Sequence, residues 1–511
     1  MNLPPRLLLL GVALLVGIAL VISISPASAL TVPHVFGDHM VLQACQPAPI
    51  WGWAKAGEKI VVRFAGQEKR ATAAVGDSRW EVRLDPMVAS SQPAELTIAG
   101  QQTLTIKDVL VGEVWLCSGQ SNMQKPLGSQ RGQKPTLNYE EELAAANYPQ
   151  VRLLKVKIAR QPAPAIDFDR TPRPGEDYPW KGWVACRPDT LDLVKFSAAG
   201  YFFGRKLHQE LKVPIGMIDC TAGGSRIESW TTPAGFAAVP SLAEFAHAAQ
   251  TPVAKVQGAE ISTLYNGMIA PLVPLALRGV LWYQGESNVC NNDGSIYADK
   301  MTALVHGWRG EWGRELPFYY VQLPPLLYSV TRKQVQSADA EPLFWEAQTA
   351  SMRLPHTGMI VTTDLVTDLR DIHPQNKRPV GERLALWALA KDYGRSDVEV
   401  SGPLFRAMEI RGREATLHFD HVAGGLVSQD GKPLAWFVIA GVDRKFFPAT
   451  ATIVGQTVVV ASPQVPSPAV VRFAWDEGAM PNFFNKAGLP AVPFRTDNPF
   501  TPVPSVKVPG P

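Results

Sequence analysis

Four short apolar runs in the middle of this chain each finish in a polar segment that contains glycine, serine, asparagine or histidine. Val109 to Cys117 leads into Ser118-Gly119-Gln120-Ser121-Asn122, and Val213 to Cys220 leads into Thr221-Ala222-Gly223-Gly224-Ser225. Gly279 to Tyr283 leads into Gln284-Gly285-Glu286-Ser287-Asn288, and Thr357 to Thr363 leads into 364–373. Helical patterns separate these runs, at Ser197 to Leu211, Tyr297 to Trp312 and Pro374 to Tyr393, and Phe318 to Leu323 is a further strand. Near-continuous apolar strands alternating with helices predict a parallel sheet covered on both faces, and so an α/β fold. In such a sheet ligands bind at the carboxyl ends of the strands. The polar strand ends are therefore where the chemistry is expected.

The flanks have a different texture. From Leu30 to about Asp108, short runs such as Lys59 to Phe64 and Trp80 to Leu84 are separated by turn residues. This spacing predicts a small β sandwich. After about Arg395 the β texture returns, at Ala415 to Phe419, Trp436 to Ile439, Thr457 to Val460 and Ala469 to Phe473. Roughly three domains also suit a length of 511 residues. At the start, Arg6 precedes an apolar run from Leu7 to Ile24, followed by Ala27-Ser28-Ala29. This order predicts a secretory signal peptide over 1–29, cut before Leu30. The rival reading is an anchor, since a spanning helix needs about 18 apolar residues, but no basic cluster follows to stop transfer. The expected division is 1–29 leader, 30–108 β domain, 109–395 α/β domain, 396–502 β domain and 503–511 unstructured tail. The mature protein is expected to be secreted or periplasmic, with no stable membrane anchor.

Composition excludes several classes. Lys and Arg number 49 against 46 Asp and Glu, with no long basic run, which argues against a nucleic-acid partner. Five cysteines in this length exclude a disulfide-framed scaffold, and an odd number leaves at least one without an intrachain partner. No Cys-x-x-Cys or His-x-x-x-His pair occurs, so no local metal signature is present.

The strand ends hold the parts of an acyl-transfer site: a hydroxyl, an imidazole, a carboxylate and donors for an oxyanion. Ser121 is the nucleophile candidate and His373 the base, although either alone is more often a turn or cap residue. Gly223 and Gly224 can bring a backbone N–H close to a carbonyl, and Gln284 can offer a side-chain N–H. The segment around Ser121 is not a Gly-x-Ser-x-Gly elbow, because Met123 stands at the second glycine position.

Five separated motifs then define a resemblance. Gly37 to Gln43, Glu113 to Met123 and Trp282 to Asn288, with Asp371-Ile372-His373-Pro374 and Asn485 to Pro490, resemble the sialate O-acetylesterase family of SGNH-type hydrolases. The resemblance implies a flavodoxin-like three-layer α/β/α sandwich with flanking β-sandwich-like domains. It implies removal of acetyl groups from a carbohydrate without a cofactor or a catalytic metal. Carried over by position, Ser121 is the nucleophile and His373 the base. The N–H of Ser121, that of Gly223 or Gly224, and the Gln284 side chain form the oxyanion hole. The superfamily often has Asp three residues before the base, where this chain has Arg370; Asp371 is the expected orienting group, with Asp364, Asp368 or a backbone carbonyl as rivals. Asn122, Arg226, Glu286 and Asn288 are the expected substrate-binding residues, Arg226 as a reader of a sugar carboxylate unless it pairs with Glu228. The alternatives are an acetyl-xylan or xyloglucan acetylesterase, a glycosidase using Glu286 and Glu346, and a non-catalytic glycan-binding protein.

Overall fold

The computed structural model describes residues 29–130, 132–171 and 182–498. The leader expected over 1–29, apart from Ala29, and the tail at 503–511 lie outside the described residues.

The α/β sheet has seven strands: β1 (Thr103–Gly119), β2 (Tyr148–Lys155), β3 (Val184–Cys186), β4 (Ile215–Thr221), β5 (Gly279–Tyr283), β6 (Phe318–Val321) and β7 (Thr357–Ile360). Their spatial order is β7-β6-β5-β1-β4-β2-β3. Every neighbouring pair is parallel except β2 with β3, at the edge. The β1 strand is central, and its carboxyl end is where the order reverses from rising to falling. This is the switch-point crevice in which open α/β sheets bind ligands.

Side-chain alternation along these strands builds two aromatic layers. On one face Trp115 packs against Phe203 and Tyr319, with ring centroids 5.0 and 5.9 Å away, and Tyr319 continues to Trp387 at 6.1 Å. Phe203 and Trp387 belong to α1 (Ala198–Leu211) and α2 (Arg378–Asp392). These two helices touch closely at Gly381, where a side chain would fall 2.4 Å from the Ala199 carbonyl. On the other face Trp282 meets Trp230 and Trp308 at 6.1 and 6.2 Å, Trp308 lying on the helix Tyr297–Trp312. Fully burying side chains of this size stabilises the fold by about 2–3 kcal/mol each.

The segment 108–109 is not a linker. β1 runs through it, pairing with Ser90–Ala99 in its first half and with β4 and β5 in its second. Asp108 adopts a positive φ of 54° where the pairing with Ser90–Ala99 loses register. Its carboxylate receives two bonds from Arg152 of β2, at 2.6 and 3.1 Å, and one from His39 Nδ1 at 2.6 Å. A bulge clamped by an arginine thus carries one strand from the β unit into the α/β sheet. The apolar core is correspondingly continuous across the two. The C-terminal β unit instead has its own core, in which Phe419, Phe437, Phe473, Phe483 and Phe494 pack ring to ring. It contains two four-stranded antiparallel sheets, one built on Leu404–Arg411, Glu414–Asp420, Thr457–Ala461 and Thr450–Val454.

Three elements depart from expectation. The helix expected from Pro374 begins at Arg378. Pro379 fits only in a first turn, so a start at 374 would place it inside the helix. The strand β2 and the helix Ala340–Ala350 were not expected at all. None of the five cysteines is paired; Cys117, Cys186 and Cys220 are buried. No described helix is long and apolar enough to cross a membrane.

Candidate active site

The β1 strand ends in a glycine because the chain passes against its neighbour there. Gly119 has φ 129°, and a side chain on it would lie 2.2 Å from the Tyr283 carbonyl of β5. Ser121 then opens a single helical turn, Ser121–Gln124. First-turn N–H groups have no intrahelical acceptor, so the Ser121 N–H points outward uncommitted. His373 arrives from the loop after β7, and its Nε2 lies 2.9 Å from Ser121 Oγ. Residues expected at two different strand ends are therefore in hydrogen-bond contact. They sit in a cavity of about 640 Å³ lined also by Gln120, Gln124, Gln130, Gln133, Gly223, Gly224, Glu286, Arg332 and Gln334.

The glycine pair divides its work. Gly223 lies against the nucleophile candidate, since a side chain there would be 3.6 Å from Ser121 Cβ. Gly224 adopts φ 70° and makes the turn, with open space where a side chain would stand. Neither N–H donates to a protein acceptor among the described residues.

The expected role of Gln284 is corrected by its surroundings. Its side chain is completely buried, and its amide N–H₂ faces three acceptors: Gln120 Oε1 at 3.0 Å, the Ser225 carbonyl at 3.1 Å and Asn288 Oδ1 at 2.7 Å. Its Oε1 accepts from the Tyr297 hydroxyl at 2.8 Å. With two N–H bonds and three acceptors, no donor is left for an oxyanion. What Gln284 fixes is Gln120, whose Oε1 also faces the N–H groups of Gly285 and Ser287, both at 3.3 Å. An amide held by its oxygen has its N–H₂ as the free end, and Gln120 lines the cavity.

Asp371 is likewise redirected. Its Oδ1 accepts the main-chain N–H of His373 at 2.9 Å, and among the described residues nothing accepts from Nδ1 of the ring. The carboxylate spans two residues to form a local turn, a geometry aspartate favours, and thereby shapes the loop that presents the ring. The two rivals are engaged elsewhere: Asp364 holds Arg383 through two bonds, at 2.8 and 2.6 Å, and Asp368 accepts the Arg370 N–H at 2.9 Å.

Of the four expected substrate contacts, Asn122, Arg226 and Asn288 are bonded within the scaffold, and Glu286 reaches the cavity. Asn122 is fully buried; its N–H₂ reaches the Glu286 carboxylate and donates to the Ile372 carbonyl at 2.9 Å, and its Oδ1 accepts from Lys377 at 2.6 Å. It therefore ties the loop that carries His373 to the turn that carries Ser121. Asn288 is fully buried and joins Gln284, Glu228 and Asp293. Arg226 pairs with Glu228 at 2.6 Å and with the Gln257 carbonyl at 2.7 Å, away from the cavity. Glu286 reaches the cavity wall but is nearly buried, and burial raises its pKa.

Two buried lysines beside the site carried no signal in the sequence. Lys125 is capped by the Lys134 carbonyl, and Lys377 lies 5.0 Å above the Tyr283 ring. Burial lowers their pKa values, to about 8 and about 7. His373 is lowered to about 4, first by burial and then by the charges of Lys377, Lys125 and Arg332, against the opposing pull of Asp371. The imidazole is thus neutral, and able to accept a proton, across the whole neutral range.

Comparison with known proteins gives the family. A family model described as "Carbohydrate esterase, sialic acid-specific acetylesterase" matches residues 111–390. The rat sialate O-acetylesterase is 32% identical over 499 residues, covering 86% of this chain and 88% of its own. The chain belongs to the sialate O-acetylesterase family. It is accordingly a carboxylic ester hydrolase of the carbohydrate acetylesterase kind. The human sialate O-acetylesterase is also 32% identical, over 89% of this chain and 90% of its own. A carbohydrate acetylesterase from Xanthomonas citri superposes with a TM-score of 0.80 at 34% identity, covering 92% of this chain and all of that one. The carboxylates of the glycosidase alternative are not a pair: Glu346 holds Arg495 through two bonds, at 2.9 and 2.8 Å, while Glu286 is bound to Asn122.

Proposed function

We propose that the chain is a serine esterase of the SGNH type that removes O-acetyl groups from carbohydrates through a Ser121/His373 dyad. The observation that carries this reading is the 2.9 Å contact between Ser121 Oγ and His373 Nε2 in an open cavity at the sheet's switch point. His373 takes the Ser121 proton as Oγ attacks the acetyl carbonyl. The oxyanion is received by the N–H groups of Ser121 and Gly223 and by the Gln120 amide. The sugar alkoxide leaves with the proton from His373, and water, activated by the same imidazole, releases acetate. Asp371 orders the loop rather than the ring tautomer. Asp371→Asn, which keeps an oxygen for the main-chain N–H, is therefore expected to retain activity within about tenfold; a loss on the order of 10⁴-fold, as for a tautomer-fixing carboxylate, would make it a triad member.

The acid limb of the pH profile follows from the imidazole. Its pKa is lowered to about 4, and the base works in its neutral form, so activity persists into acid and is lost as pH falls through that value. Initial kcat/KM should be flat from neutral down to about pH 5 and half-maximal near 4, on enzyme that recovers fully on return to neutral pH. A midpoint near the ordinary histidine value of about 6.5 would mean that neither burial nor the neighbouring positive charges lower the ring.

The division into a β unit at 30–108, a catalytic unit at 109–395 and a β unit at 396–502 is part of the same proposal, with every cavity-lining residue lying in the second. So is export of the mature chain from Leu30 to the periplasm or medium. Thr31 pairs with Trp53 at 2.9 Å, so a chain cut there keeps its first bridge. Sequencing the amino terminus of the exported protein tests the cut, and a first residue other than Leu30 would move it. The substrate class is tested by acetate release from acetylated sialosides against acetylated xylo-oligosaccharides.

A further inference from the structure

Arg332 follows the short helix Tyr328–Thr331 and lines the catalytic cavity. Its guanidinium makes one hydrogen bond among the described residues, from Nη1 to the neighbouring Thr331 carbonyl at 3.3 Å, and no described carboxylate lies within ion-pair reach of it. Arg152, Arg205, Arg226, Arg278, Arg383 and Arg495, by contrast, each hold a carboxylate. Its charge nonetheless acts on the catalytic ring, as one of the groups that lower the His373 pKa.

The rest of the wall gives this guanidinium its meaning. Five glutamines, Gln120, Gln124, Gln130, Gln133 and Gln334, supply neutral amides, and no described Trp, Tyr or Phe lines the cavity. Chains of neutral sugars present flat apolar ring faces that suit aromatic platforms, and this cavity has none. A small sugar bearing a carboxylate, by contrast, needs a planar cation and polar partners for its hydroxyls. The one carboxyl on the wall, Glu286, is pushed toward its neutral form by burial and bonded to Asn122, so it opposes an anion weakly. The loop is also braced from outside the catalytic unit. Glu477 of the C-terminal β unit accepts the Ser329 N–H at 2.9 Å and the Ser329 hydroxyl, three residues before Arg332.

We propose that Arg332 is the specificity-determining residue of this esterase, and that it binds the carboxylate of an acidic acetylated sugar. The inference rests on the esterase reading above. The guanidinium fork takes the sugar carboxylate while the ester carbonyl lies on Ser121. The C-terminal β unit sets the position of that fork through Glu477, which gives this distant unit a part in substrate choice.

The experiment is a ratio of kcat/KM values on the full mature chain, acidic over neutral. The acidic substrates are an O-acetylated sialoside and, separately, an O-acetylated galacturonide; the neutral one is an O-acetylated xylo-oligosaccharide. In Arg332→Gln the acidic-to-neutral ratio should fall by about tenfold or more, the size of a lost charge-assisted hydrogen bond. Arg332→Lys, which keeps the charge without the fork, should fall in between. Lys333→Gln, which removes an equal charge from the next, exposed position, should leave the ratio unchanged. The two acidic arms tell which carboxylate source is read, by which of them loses the more. An unchanged ratio in Arg332→Gln, an equal fall in Lys333→Gln, or a wild-type enzyme that favours the neutral substrate would each overturn the inference. None of these would touch the esterase reading, which fails only if acetate release from all three substrates survives Ser121→Ala.

Discussion

Ser121→Ala should abolish acetate release, with kcat/KM lower by at least about 10⁴-fold, while the protein stays folded. The size follows from what the substitution removes. The attacking atom itself is lost, together with the covalent intermediate it forms, and among the described residues no other hydroxyl is hydrogen-bonded to the His373 ring. The fold should be indifferent, because among the described residues Oγ bonds only to that ring, and the backbone of Ser121–Gln124 is set by its own turn and by Gly119. His373→Ala should lose a similar factor. The double variant should lose no more than either single one, because nucleophile and base act as one unit and their effects do not add. Summed losses in the double variant would mean that the two residues work independently.

Gln120→Ala should lower kcat by about 10²–10³-fold with little change in KM. An oxyanion donor does its work when the carbonyl oxygen becomes charged, and removal of one such donor costs this much in comparable sites. The assignment rests on orientation. Gln284 Nε2 and the N–H groups of Gly285 and Ser287 surround Gln120 Oε1 and turn its N–H₂ toward the cavity. Gln284→Ala should therefore also lower kcat, by releasing Gln120, and adding it to Gln120→Ala should do little further. If Gln284→Ala alone were severe and Gln120→Ala mild, the donor would be Gln284 after all.

The sequence made some parts of this molecule legible for clear physical reasons. Gly279–Tyr283 is a buried run between glycines, and Tyr297–Trp312 carries a long helical period, so both elements fall where the pattern puts them. β2 was hidden because Arg152 interrupts its apolar run; that arginine is buried to hold Asp108, a contact 44 residues away in sequence. The helix Ala340–Ala350 reads as polar because Glu341, Glu346 and Gln348 are buried in bonds to other segments. At the site, Ser121 and His373 were legible as candidates because both follow apolar strands of one sheet, and the fold brings them into hydrogen-bond contact. The motif neighbours Asn122, Gln284 and Asn288 misled for an equally physical reason. A buried polar network restricts residue identity as tightly as substrate contact does, and these residues hold the loops together. Arg332, Lys125 and Lys377 left no trace, since their effect depends on where the fold puts an unremarkable basic residue.

The central claim is that the fold activates one serine through one histidine. A fluorophosphonate probe, which phosphonylates only an activated serine, tests it most directly when combined with peptide mapping. The account predicts labelling of Ser121 alone, in step with the loss of esterase activity, and no labelling in His373→Ala. Labelling at another residue, or full activity in protein whose Ser121 is completely labelled, would contradict it.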